Sequence, residues 1–243
     1  MVIADNYNMA YIILPFFLLF SIHAAVSQQH DSGYNAEVIR GEVWVERAPI
    51  YGDRPDPEYP LSRETAGKRA LQEAALFFSG MIYGWSFHYD IGERARGIAE
   101  DFDVFELMGE IAWGDPRLSV TEVDTRDTRM LMWADYRLNE VQQKRMHMWR
   151  TGTVRNAQGI GYCPLHGPSP DSTWLDIQNA ALKDAARAAV RAMLRGSERN
   201  RPKEASGYIS LASFPRFFMA SGRWAADARF RVQINEIIPF AAY

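Results

Sequence analysis

Hydrophobic residues recur with a helical period between Ser62 and Gly80 and with a period of two from Met81 to Tyr89. Ser62 can accept hydrogen bonds at a helix N-terminus, and Gly80 can end a helix because it adopts left-handed backbone angles. The apolar side chains that share the helical face are Leu71, Ala74, Phe78 and Met81. The side chains that share one face of the strand are Met81, Tyr83, Trp85, Phe87 and Tyr89. The pattern predicts a helix joined at Gly80 to a strand whose aromatic face packs in the core, with sugar stacking as the alternative.

A second helix and strand of the same kind follow near the C-terminus. Thr173 and Asp176 form a capping-box pattern, and the Ala-rich helix that they begin ends near Gly196. After a stretch that predicts a polar loop, residues 225–238 alternate as a half-buried strand. Its apolar face carries Ala226, Ala228, Phe230, Val232 and Ile234. The chain is therefore predicted to be α+β, with two Ala-rich helices packed on antiparallel sheet, and the repeated order suggests a diverged internal duplication.

The remaining pattern predicts further strands at residues 37–47, 102–111, 117–123 and 128–138. Residues 139–150 are ambiguous, because Asn139 and Gln142 fit a capping box but the segment also fits the return strand of a hairpin. Residues 151–172, rich in Gly and Pro, predict loops and turns.

The N-terminus predicts a secretory signal peptide over residues 1–27. The apolar run from Ala10 to Ile22 is shorter than the ~20 residues that a membrane span needs, and Ala25 and Ser27 suit a cleavage site. The alternative is an uncleaved anchor, since no Lys or Arg precedes Arg40. The predicted organisation continues with an N-terminal strand and Pro-rich loop (28–60), a first helix–strand unit (61–156) and a second (157–243). The two units form either one domain or two.

Charge and cysteine content narrow the function classes. Lys plus Arg number 27 and Asp plus Glu number 30, which argues against nucleic-acid binding through bulk charge. Cys163 is the only cysteine, so an exported chain has no internal disulfide and no lipid-bearing cysteine at its N-terminus.

The segments "KRALQEAALFFSG", "FELMGEI" and "RMLMWADYRL" resemble the N-terminal domain of flagellar assembly protein T and related surface lipoproteins of bacteria. A similar helix and strand recur in "LKDAARAAVRAML" and "ADARFRVQI". The chain departs from the lipoprotein members because it lacks their lipid-bearing cysteine. The resemblance implies a structural or assembly role at the cell envelope and carries no catalytic residues.

Candidate chemistry is sparse. Cys163 and His166 are three residues apart, a spacing that suits a metal pair or a nucleophile with its base, but no second cysteine completes a zinc site. Two clusters of acidic residues could supply the carboxyl pair of a glycosidase, if the two carboxyl groups lie at a suitable separation. The first cluster is Glu100, Asp101 and Asp103, and the second is Asp124 and Asp127. The sequence therefore predicts no catalytic residues, no metal and no cofactor.

Four basic residues recur every fourth position on the second helix. This basic stripe consists of Lys183, Arg187, Arg191 and Arg195. A solvated helix face is the usual outcome of such a charge run, and contact with an anionic partner is the functional interpretation. The favoured function is an exported, non-enzymatic periplasmic or extracellular protein that serves structure or assembly through an envelope or flagellar-type partner. Peripheral membrane contact and oligomerisation fit this interpretation. The alternatives are a periplasmic hydrolase and a glycan- or lipid-binding module.

Overall fold

The computed structural model describes residues 38–48, 59–92, 97–126, 128–150, 153–169, 171–197 and 202–239. The predicted signal peptide and most of the Pro-rich loop lie outside these residues. Within them the chain forms strands and helices in the order β1 (Val38–Glu46), α1 (Arg63–Ile82), β2 (Trp85–Asp90), β3 (Asp101–Leu107), β4 (Leu118–Arg126), β5 (Arg129–Arg137), α2 (Glu140–Met148), β6 (Arg155–Tyr162), α3 (Trp174–Ser197), β7 (Pro202–Leu211), β8 (Arg216–Ala220) and β9 (Arg223–Pro239).

The described strands pair antiparallel in two sheets, and the α+β prediction is confirmed. The smaller sheet has the order β1-β5-β4, and the larger has the order β3-β2-β7-β9-β6, with β8 also paired to β9. Because β2 pairs with β7, strands from both predicted helix–strand units share one sheet. The described residues from Val38 to Pro239 belong to one compact unit. The two predicted helix–strand units differ in strand pairing, because β4 and β5 of the first unit pair with β1 or with each other in the smaller sheet.

Helix α1 begins where the sequence predicts but ends later. The Ser62 side chain accepts a hydrogen bond from the Thr65 N–H at 3.0 Å. The helix continues through Gly80 to Ile82, so the predicted end at Gly80 is wrong. Gly80 is needed for packing instead, because a Cβ there would overlap the ring of Trp85. The left-handed turn falls at Gly84, whose φ is 71°.

Strand β2 therefore begins at Trp85, and Tyr83 caps the helix rather than joining the strand face. Trp85, Phe87 and Tyr89 are 2%, 2% and 0% exposed, which confirms that the aromatic row is core. Strand register extends this face across the larger sheet through Ile209 of β7 to Val232 of β9. Helix α3 packs on strands β6 and β9 of the larger sheet. Helix α1 packs on β7 of the larger sheet and on β1 and β5 of the smaller sheet.

Two strands of the larger sheet lie where the sequence predicts loops. Strand β6 contains Gly159 and Gly161, and both of these glycines face α3. A Cβ on Gly159 would lie 2.8 Å from the Ala189 nitrogen, so the glycines allow the helix backbone to approach the strand rather than forming turns. Strand β7, predicted as part of a polar loop, pairs with β2 and β9 in the middle of the sheet.

The ambiguous segment after β5 is helical. Asn139 and Gln142 form a reciprocal capping box at the start of α2. The helix ends against α1, where the Trp149 indole N–H donates to the Ile82 carbonyl at 3.0 Å. Among the described residues, no helix has the length and apolar character to cross a membrane.

Candidate functional site

A cleft of about 440 Å³ opens between the first turns of α3 and the outer strands β2 and β3 of the larger sheet. The volume falls within the ~300–1,000 Å³ range of small-ligand and side-chain pockets. The lining residues come from α1, β2, β3, the loop after β6 and α3: Leu76, Trp85, Phe105, Leu107, Pro168, Asp176, Asn179, Ala180 and Lys183. Helix α3 packs most closely on β6, at the opposite edge of the sheet from β3. This packing leaves the space between α3 and strands β2 and β3 that forms the cleft.

The floor of the cleft is apolar. The rings of Trp85 and Phe105 stack with centroids 5.0 Å apart and planes inclined by 7°. Leu107 lies directly opposite Trp85 in the β2–β3 register, and Leu76 reaches the cleft from α1. The partly exposed side chains of Leu76, Phe105 and Leu107 thus form the accessible hydrophobic surface, and the buried ring of Trp85 supports it from beneath.

One wall is a polar face of α3. Asp176, Asn179, Ala180 and Lys183 share this face because they are three, four and seven residues apart. Asp176 is committed to the helix N-cap, where hydrogen bonds from Thr173 lower the pKa of its carboxyl. The Lys183 ammonium donates to the Asp103 carbonyl at 3.2 Å, which holds a positive charge at the cleft wall. The wall therefore offers one fixed cation and one side-chain amide.

The basic stripe is largely engaged by the chain itself. Arg187 pairs with Asp184 of the same helix, and Arg191 lies 3.2 Å from Glu100, which also accepts from the Tyr89 hydroxyl at 2.7 Å. Arg195 is exposed in the last turn of α3. Arg187 and Arg191 thus each lie beside a carboxylate of the chain itself. Lys183 is the member that the structure places at the cleft.

A buried carboxyl lies between α1 and α3. Glu73 is 2% exposed, and burial raises its pKa to about 8. The Trp174 indole N–H donates to this carboxyl, which is also hydrogen-bonded to the buried side chain of Gln178. Glu73 is not among the residues that the sequence patterns single out, although an acid beside Ala70, Ala74 and Phe77 on an apolar helix face is a detectable signal.

The fold does not bring Cys163 and His166, the candidate nucleophile and base, into contact. Cys163 is 2% exposed, and burial raises the pKa of its thiol, so it is a core residue rather than a cysteine in an exposed loop. His166 is exposed, and the described part of the chain has no hydrogen bond between it and Cys163. A buried thiol of raised pKa is a poor nucleophile.

The acidic candidates are also dispersed. Glu100 is bound by Tyr89 and Arg191, and Asp124 pairs with Arg126 at 2.6 Å. Asp127 lies outside the described residues. A different acidic group, Asp90 and Glu204, lies beside His88 on the opposite face of the larger sheet from the cleft. The sequence predicted no metal site, and this cluster could not be foreseen because Glu204 is far from His88 along the chain.

Comparison with known proteins places this α+β chain in a family but supplies no activity. A protein-family model matches residues 26–240, so the chain belongs to that family, whose function is unknown. A protein of Treponema pallidum (strain Nichols), described as uncharacterized, is 27% identical over 183 residues, which cover 75% of this chain and 74% of that protein. No solved structure matches the chain.

Proposed function

We propose that this protein is a non-enzymatic assembly protein of the cell envelope, and that it holds a peptide segment of a partner protein in the cleft. The observation that carries the proposal is the composition of the cleft: a partly exposed apolar floor of Leu76, Phe105 and Leu107, backed by the buried ring of Trp85, beside a wall that carries the cation Lys183. An apolar side chain of the partner would lie on the floor, and a neighbouring carboxylate would meet the Lys183 ammonium.

The two alternative functions have less structural support. A hydrolase acting through Cys163 and His166 would need an accessible thiol within reach of its base, whereas Cys163 is buried. A glycan platform would need exposed ring faces on the aromatic row, whereas Trp85, Phe87 and Tyr89 are at most 2% exposed. The burial of Cys163 and of the aromatic row therefore supports a binding cleft better than a hydrolase site or a glycan platform.

Export and envelope location belong to the same proposal. They rest on the sequence of residues 1–27 and on the resemblance to flagellar assembly protein T and surface lipoproteins. A flagellar or outer-membrane protein with an acidic, apolar segment is the proposed partner. Lys183 is the proposed contact residue of the stripe, with Arg195 the next exposed cation along the same helix.

Selection from a displayed library of random peptides would test the proposed cleft. We expect the wild-type protein to enrich peptides with an aromatic or aliphatic residue next to Asp or Glu. Lys183→Glu should weaken their binding about tenfold or more, because it replaces attraction with repulsion, and should itself enrich basic peptides. Ala180→Phe should weaken binding by filling the cleft, while Lys144→Glu on α2 should not.

The affinities are read by fluorescence polarisation with labelled peptides, and circular dichroism checks that each variant folds. Selected peptides that bind Lys183→Glu and Ala180→Phe as tightly as the wild type would exclude the cleft as the binding site. Failure to enrich any peptide would overturn the proposal that the partner is recognised through a short segment.

A further inference from the structure

We propose that His88, Asp90 and Glu204 bind a zinc ion on the face of the larger sheet that the helices leave open. His88 and Asp90 are two residues apart on β2, so both side chains project from the face opposite the buried row of Trp85, Phe87 and Tyr89. Glu204 of β7 lies directly opposite Asp90 in the β2–β7 register. Neighbouring strands therefore fix all three groups on one surface.

The distances suit a single ion. One ligand atom from each residue lies within 4.8 Å of the others, and His88 Nε2 is 3.6 Å from Asp90 Oδ1. Zinc binds imidazole nitrogen and carboxylate oxygen at about 2.0–2.2 Å in tetrahedral geometry, so two of its ligand atoms lie about 3.3–3.6 Å apart. Small side-chain rotations would bring the three atoms to this separation. All three residues are half-buried, which restricts their side chains while leaving access from solvent.

The strand register supplies a separate argument from electrostatics. Asp101 of β3 lies opposite Asp90 on the other side of β2, so Asp101, Asp90 and Glu204 form a row across three adjacent strands. Like charges placed directly opposite each other destabilise a sheet. The Lys203 ammonium pairs with Glu204 and also interacts with Asp90, so one cation of the chain offsets part of this negative charge. A divalent cation held by Asp90 and Glu204 would neutralise the centre of the row, where the carboxylates of adjacent strands meet.

The ligand types select among metals. Imidazole favours zinc and other transition metals, whereas a site made only of carboxylates favours calcium or magnesium. One imidazole and two carboxylates leave at least one coordination position open to water or to a partner's side chain. The proposed site lies on the other face of the sheet from the cleft, so it stands independently of the proposed peptide binding.

Isothermal titration of the metal-free full-length chain with zinc chloride would test the proposal. We expect one equivalent of zinc to bind the wild type, and His88→Ala and Glu204→Gln to weaken the affinity by about tenfold or more. His166→Ala is the matched control, because it removes an exposed imidazole elsewhere on the surface and should leave the affinity unchanged. Zinc should also raise the melting temperature of the wild type more than that of His88→Ala.

Circular dichroism without metal would confirm that the variants fold. Wild-type protein that binds no zinc at micromolar concentrations would overturn the proposal. A His88→Ala variant that keeps the wild-type affinity would overturn it as well, as would a site that binds calcium in preference to zinc.

Discussion

Replacing Gly161 with alanine is expected to destabilise the fold by about 3 kcal/mol or more. The new methyl group would overlap the backbone nitrogen of Ala185 and lie 2.5 Å from the Ala181 carbonyl oxygen. Backbone cannot rotate away as a flexible side chain can, so α3 would have to lift from β6. Urea denaturation followed by circular dichroism measures the change in the free energy of unfolding.

Gly67→Ala is the matched control for this substitution. Gly67 lies in α1, and a Cβ there would meet no atom within 4 Å. Alanine should stabilise the helix by about 0.5–1 kcal/mol, because glycine loses more conformational freedom on folding. If Gly161→Ala were as stable as the wild type, the close packing of α3 on β6 would be wrong.

Glu73→Gln is expected to stabilise the protein at pH 7.5 by about 2–4 kcal/mol. The ordinary pKa of this carboxyl is 4.5, and burial raises it to about 8 in the folded chain. The folded protein therefore holds a proton that the unfolded chain releases between these two pH values. The free energy of unfolding of the wild type should accordingly fall as the pH rises from 4.5 to 8. Glutamine keeps an acceptor for the Trp174 indole without this ionisation.

The measurement is the difference in free energy of unfolding between Glu73→Gln and wild type, taken from urea titrations at several pH values. The difference should grow between pH 5 and pH 8, and other titrating groups cancel in it. Glu64→Gln, at an exposed position in the same helix, should show no such growth. A constant difference for Glu73→Gln across this range would mean that the carboxyl is not buried as described.

The elements that the sequence predicts well are those defined by local signals. Ser62, Thr173 and Asn139 each bind the first turn of the helix that follows, so their patterns needed no tertiary information. Strand β6 was missed because glycine is a turn signal in isolation. The requirement for Gly159 and Gly161 comes from the backbone of α3, which is remote in sequence.

The candidate site was predictable only in part. The position of Lys183 on a polar face of α3 follows from the helical period. Its position beside Trp85 and Phe105 does not, because that depends on the order β3-β2-β7 in the sheet. The pairing of Arg191 with Glu100 was equally hidden, since the two residues are far apart along the chain.

We propose that a partner protein binds in the cleft beside Lys183. A photoreactive amino acid at Asn179, which lines the cleft, would test this claim most directly in the native cell. The control position is Val141 of α2, which is 71% exposed and away from the cleft lining. We expect one discrete cross-linked protein from position 179, absent from position 141 and lost when Lys183→Glu is added. No discrete adduct at position 179, the same adduct from both positions, or an adduct unaffected by Lys183→Glu would contradict this proposal.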